Sequence, residues 1–148
     1  MRQGLTGNRR TRLVAAFGVI FVCAALTAAA AEPVDVLPDA LASAGDPARG
    51  RVVMAGRDAN CFLCHAVRES GERFMGDVGP SLSGIGARLS AAQLRLRVVD
   101  SSRLNPETVM PSYSRITGLL RVAEAYRGRP ILDGQQIEDV VAYLQTLR

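Results

Sequence analysis

The residues of this chain that could do chemistry lie close together. Cys61-Phe62-Leu63-Cys64-His65 sets two thiols three positions apart with an imidazole directly after them. Three positions is about one helical turn, so both sulfurs fall along one edge and the next residue can swing its ring beneath whatever the sulfurs hold. This is the pattern in which two thiols add to the vinyl groups of a haem and the histidine ligates the iron from one side. A closed zinc site needs four ligands, whereas residues 32–148 offer two cysteines and the chain's one histidine. A dithiol oxidoreductase needs a βαβ pattern around its Cys pair, which is missing here. A plain Cys61–Cys64 disulfide remains as an alternative, but it leaves His65 unexplained.

A haem iron held by His65 has a second axial position. After residue 31 there is no second histidine, no lysine and no further cysteine. The donor set therefore points to a methionine thioether. Three methionines remain there. Met54 stands among apolar residues before the motif, and Met75 follows His65 in a glycine-containing loop. Met110 lies far along the chain between Asn105-Pro106 and Pro111. A ligand on the other haem face needs a chain that travels round the haem edge, and a proline-flanked loop has little conformational freedom left to lose. Met110 is the expected ligand, with Met54 and Met75 expected to pack.

The chain has 148 residues, 48% hydrophobic and 22% charged, within the range of one ordinary globular domain. Its first 31 residues read as an export signal. Four arginines and no acid precede the apolar run 13–31, which ends in the A-x-A pattern of Ala29-Ala30-Ala31. An uncleaved membrane anchor is the alternative reading. Arg9-Arg10 invites a twin-arginine reading, but Arg12 stands where that signal wants an apolar residue. Cys23 has no small residue before it, as a lipoprotein signal requires, and is expected to leave with the segment. Cleavage takes four of the 18 basic residues, all arginine, and leaves 14 against 14 acids. Neutrality without a basic stripe removes the electrostatic footprint of a nucleic-acid binder, so no nucleic-acid partner is expected. The expected compartment is the periplasm, with no membrane anchor after cleavage.

The elements that must position the motif are helical. Residues 32–45 read as an extended N-terminal arm and residues 46–148 as the domain. Asp46 and Pro47 suit the N-cap and first position of a helix running to about Gly56. A long glycine-containing loop is expected from His65 to about Arg88. Ser90 and Gln93 then form a capping box opening a helix through Leu94, Val98 and Val99. The prolines at 106 and 111 make 101–114 loop, and 116–127 is open to a helical reading. Asp133 with Gln136 opens the last helix, whose stripe is Ile137, Val140, Val141, Leu144 and Leu147, with Tyr143 at its edge. The fold class is all-α, with short helices and long loops. So small an apolar core is marginal alone, and a covalently held cofactor would complete it.

The run Gly79-Pro80-Ser81-Leu82-Ser83-Gly84-Ile85-Gly86-Ala87-Arg88 resembles the loop that follows the haem motif in class I cytochromes c. The resemblance implies that fold around one haem c. It also implies that the Pro80 carbonyl accepts the His65 ring N–H and that Arg88 pairs a haem propionate, although Ala87 stands where the family usually has glycine. Within that class, Asn105-Pro106-Glu107-Thr108-Val109-Met110-Pro111-Ser112-Tyr113, followed by Gly118 to Ala123, Tyr126 and Arg129 to Leu144, resembles the SoxX family of small cytochrome subunits. Tyr113 and Tyr126 would pack on the haem or between helices. The resemblance implies a heterodimer with a SoxA-like cytochrome that couples thiosulfate oxidatively to a cysteine of the sulfur carrier protein SoxY. The transferase chemistry, an L-cysteine S-thiosulfotransferase activity, would reside in the partner. This chain would pass electrons to a soluble cytochrome c and would not be catalytic alone. Two rivals remain: an independent diffusible electron shuttle, and a haem peroxidase, which needs an iron position left open to substrate.

Overall fold

The computed structural model describes residues 40–148. The segment 1–31 read as an export signal, with Cys23, and positions 32–39 of the expected arm lie outside the described residues. All regular structure among the described residues is helical. Four α-helices follow in order: α1 Pro47–Ala55, α2 Ile85–Arg88, α3 Ala91–Asp100 and α4 Gly134–Thr146. Single 3₁₀ turns at Cys61–Leu63, Arg68–Ser70, Ser101–Arg103 and Glu124–Tyr126 punctuate the loops. No helix among the described residues is long and apolar enough to cross a membrane.

Helix starts follow the side-chain caps. Asp46 accepts the N–H groups of Ala48 at 2.7 Å and Arg49 at 3.0 Å, and Pro47 occupies the first position, where its missing N–H costs nothing. Both capping boxes form in full. Gln93 N–H donates to Ser90 Oγ and Ser90 N–H to Gln93 Oε1, and Gln136 and Asp133 repeat the exchange at α4. Two expectations need correction. The loop after His65 contains a short helix, α2, opened by Gly84 in a left-handed conformation. Residues 116–127 form no helix beyond the Glu124–Tyr126 turn, because Gly118 and Arg121 both take positive φ and the apolar Leu120 faces solvent.

Helix α4 is the axis of the domain, with α1, α2 and α3 all packed on it. Its stripe Ile137, Val140, Val141, Leu144 and Leu147 is buried, at about 1.5–3 kcal/mol per side chain removed from water. Tyr143 is buried with them. Helix α1 approaches closely because Gly50 has no side chain. A Cβ there would stand 1.9 Å from the Asp139 carbonyl oxygen. Asp139 also accepts the Asp46 N–H and a two-point bond from the Arg49 guanidinium, each at 2.8 Å. Helix α3 is fixed by a buried ion pair in which Arg95 meets both oxygens of Glu138 at 2.6 and 2.7 Å. The Leu41 N–H adds a third bond to Glu138, so the described end of the arm lies on α4.

Candidate functional site

Asn60, in a left-handed conformation, turns the chain out of α1 and into the 3₁₀ turn of Cys61–Leu63. The N–H groups of Cys64 and His65 both close on the Cys61 carbonyl, at 3.2 and 3.0 Å. This wraps the motif into one turn. Both thiols are unpaired and half-buried, so the motif is not a disulfide here. Burial pushes the Cys61 thiol up to about 11, the opposite of what a reactive redox cysteine needs. Among the described residues no three His, Cys, Asp or Glu side chains converge on a point, which removes the zinc reading.

His65 Nδ1 lies 2.7 Å from the Pro80 carbonyl oxygen. A carbonyl only accepts, so Nδ1 is the donor, which leaves Nε2 as the ring atom available to a metal. The same bond fixes the ring plane and raises its basicity. Gly79 allows the approach, because a Cβ there would stand 2.3 Å from His65 Cε1. The loop is held on both sides: Gly79 N–H donates to the Cys64 carbonyl at 2.8 Å, and Leu82 N–H to that of Ala66 at 2.9 Å.

Cys61, Cys64, His65, Pro80, Met110 and Tyr113 all line one largely apolar cleft of about 400 Å³. Its apolar walls come from Leu82, Ile85 and Leu89 around α2, Leu94 and Val98 of α3, and Val140 and Leu144 of α4. Met110 is carried by a loop tied down on three sides. Its N–H meets Thr108 Oγ1, its carbonyl accepts from Ser101 Oγ, and Tyr113 N–H returns to the Val98 carbonyl. The other two methionines are otherwise engaged. Met75 Sδ accepts the Val67 N–H at 3.1 Å, and Met54, which also lines the cleft, is 1% exposed and packed in the core. Tyr113 is buried, with its hydroxyl donating to the Ala59 carbonyl at 2.8 Å, and burial holds its phenol well above the ordinary range. Tyr126 lies away from the cleft and donates to Asp58.

Two unpaired thiols on one turn, an imidazole whose Nδ1 is engaged by Pro80 and a thioether on the same apolar cleft form a donor set that fits a covalently attached haem. Arg88 stands elsewhere. It is exposed, and its guanidinium donates to the Ser83 and Ser81 carbonyls at 2.9 and 3.3 Å. The cation on the cleft is Arg97, which sequence reasoning missed. Its signal was its place three residues after Leu94, on the α3 face that meets the cleft.

The family model described as cytochrome c matches residues 48–148. None of the curated proteins matches the chain. Among solved structures, a chain of the crystal structure of SoxXA from P. pantotrophus is 35% identical to this one, with a TM-score of 0.65. That match covers 71% of this chain and 83% of the other.

Proposed function

This chain belongs to the cytochrome c family, as a SoxX-type cytochrome that binds haem c covalently, and from that premise we propose that it is the electron-transfer subunit of a periplasmic SoxAX complex. Cys61 and Cys64 would hold the haem covalently, and His65 and Met110 would ligate its iron. The observation that carries this reading is Met110 on the same cleft as His65, half-buried on a loop of its own, whereas Met54 on that cleft is packed in the core. When bound, the haem supplies one-electron exchange, and a histidine–methionine pair raises its potential and leaves no iron position for substrate. That argues against a peroxidase.

The chain's own residues do the tuning. Pro80 orients His65, and Arg88 braces the loop that carries Pro80 through the Ser81 and Ser83 carbonyls. Ser101 and Thr108 hold the backbone of Met110 in place. Val78 and Val109 line the cleft yet are 70% and 81% exposed, giving its rim an apolar surface suited to a docked protein.

The likeness to the SoxXA chain supports a SoxA-like partner. In this reading the partner couples thiosulfate to a cysteine of SoxY, an S–S bond formation that releases two electrons. This subunit relays them singly to a soluble cytochrome c. Residues 1–31 serve as the cleaved export signal, 32–45 as the arm and 46–148 as the cytochrome domain. The test is affinity capture of the tagged protein from its own periplasm, followed by a salt wash, haem staining and a thiosulfate oxidation assay with the carrier protein present. Retention of a larger haem-bearing partner with thiosulfate activity is the expected result. A lone haem protein that exchanges electrons with an oxidase or reductase, with no thiosulfate activity in any fraction, makes it a diffusible shuttle instead.

A further inference from the structure

A haem carries two carboxylates, and an ionised carboxylate beside an apolar wall is costly unless a cation or several donors meet it. The family pattern points to Arg88 for that task, but Arg88 is exposed, does not line the cleft, and donates to two backbone carbonyls of its own loop. We propose that Arg97 is the residue that pairs a haem carboxylate in this protein. The inference rests on the haem-site reading and adds to it the residue that recognises the cofactor's acid groups.

Three observations carry it. Among the described residues that line the cleft, Arg97 is the one Arg, Lys, Asp or Glu, so no acidic side chain on that wall competes for it. Its backbone is fixed, since α3 opens with a complete capping box and its neighbours Leu94, Leu96 and Val98 are buried. Arg97 is half-buried, and its guanidinium donates from Nη1 to the Gln93 carbonyl at 2.8 Å, one turn back along α3. That bond uses one of five N–H donors and holds the group in place, leaving the rest of the fork for a carboxylate. Ser101 and Asn105 line the same stretch of cleft and add neutral polar groups beside it.

The consequence is electrostatic. Ferric haem carries one more positive charge than ferrous haem, so a fixed cation nearby favours the reduced form and raises the potential. An ionised carboxylate does the opposite, and Arg97 both offsets that charge and keeps the carboxylate ionised to lower pH. The other titratable groups on the cleft are Cys61, Cys64, His65 and Tyr113. With haem attached the two thiols are thioethers and His65 is a ligand. Tyr113 is held neutral well above the ordinary phenol range. The pH profile of the potential between about 5 and 8 therefore reads the haem carboxylates.

The experiment is a spectroelectrochemical titration of the intact holoprotein across that pH range, for wild type, Arg97→Gln, Arg97→His and Arg88→Gln. Arg97→Gln is expected to have a lower potential than wild type, with a fall as pH rises where wild type is flat. Arg88→Gln is expected to stay flat with pH, with at most a uniform offset in potential from the loosened Pro80 loop. Arg97→His is the second variant should Arg97→Gln fail to assemble. Its imidazole loses its charge near pH about 6.5, and the potential should step down through that point. A wild-type profile in Arg97→Gln, a flat profile in Arg97→His, or the full effect appearing in Arg88→Gln overturns the proposal. Wild-type protein that carries no covalent haem on a stained gel overturns the haem-site reading itself, a result separable from the other three.

Discussion

Replacing Gly79 with alanine tests how the loop holds the His65 ring. A methyl group there would stand 2.3 Å from His65 Cε1, 2.6 Å from Nδ1 and 2.9 Å from Nε2, where ordinary contact begins at 3.4 Å. Ring and loop must therefore separate by about 1 Å at the closest pair, an overpacking that costs about 1–3 kcal/mol. Neither side yields freely, because Gly79 N–H is bonded to the Cys64 carbonyl and His65 follows Cys64 directly. A separation of that size takes the 2.7 Å bond from His65 to Pro80 out of hydrogen-bond range, which adds about 1 kcal/mol. Gly79→Ala should thus be about 2–4 kcal/mol less stable than wild type in urea unfolding of the holoprotein. Loss of the Nδ1 bond makes the imidazole a weaker donor to ferric iron, so the potential should rise at the same time. A variant that keeps both wild-type stability and wild-type potential refutes the claim that the loop backbone sets the ring.

Other predictions concern the frame around the site. Glu138→Ala removes the carboxylate that meets Arg95 in the buried ion pair and should cost about 3–5 kcal/mol in urea unfolding, whereas the double change Arg95→Met with Glu138→Leu should fall much closer to wild type. The hydrogen bond from Arg49 is the largest influence on Asp139, with the Asp46 N–H helping, and together they hold its carboxyl down to about 2 from 3.8. The folded pKa is depressed, so this contribution is present above about pH 4 and is lost as pH falls toward about 2. An unfolding series across that window should show the loss, and Asp139→Asn should lack that component. Cys61→Ala with Cys64→Ala removes covalent attachment and should leave little folded protein by far-UV circular dichroism, since the cleft walls lose the group they pack on. A normally folded apo form of that variant contradicts the dependence of folding on haem.

Much of this was legible locally. The caps at Asp46, Ser90 and Asp133 lie within four residues of the N–H groups they satisfy, and the α4 stripe repeats at helical spacing, so both are written in short stretches of sequence. The Cys61 to His65 motif is likewise local. What did not show is what depends on partners far along the chain. Helix α2 is one turn long and has no periodicity to read. Residues 116–127 carry Leu119, Leu120 and Val122 at spacings that suit a helix, but they lack a cap and two of their residues take left-handed conformations. Glu138 and Arg95 read as surface charges until the fold brings them together across 43 positions. Arg97 was hidden for the same reason: which face of α3 meets the cleft is set by packing on α4, and the family pattern drew the eye to Arg88.

The central claim is that His65 and Met110 both bind the iron, which makes this chain a relay for electrons rather than a site of chemistry. Carbon monoxide binding to the ferrous holoprotein, followed in the visible spectrum, tests it most directly. Wild type should bind none at concentrations that saturate an open haem, and Met110→Ala should bind readily while Met75→Ala behaves as wild type. Tight binding by wild type, or no gain in Met110→Ala, contradicts the account.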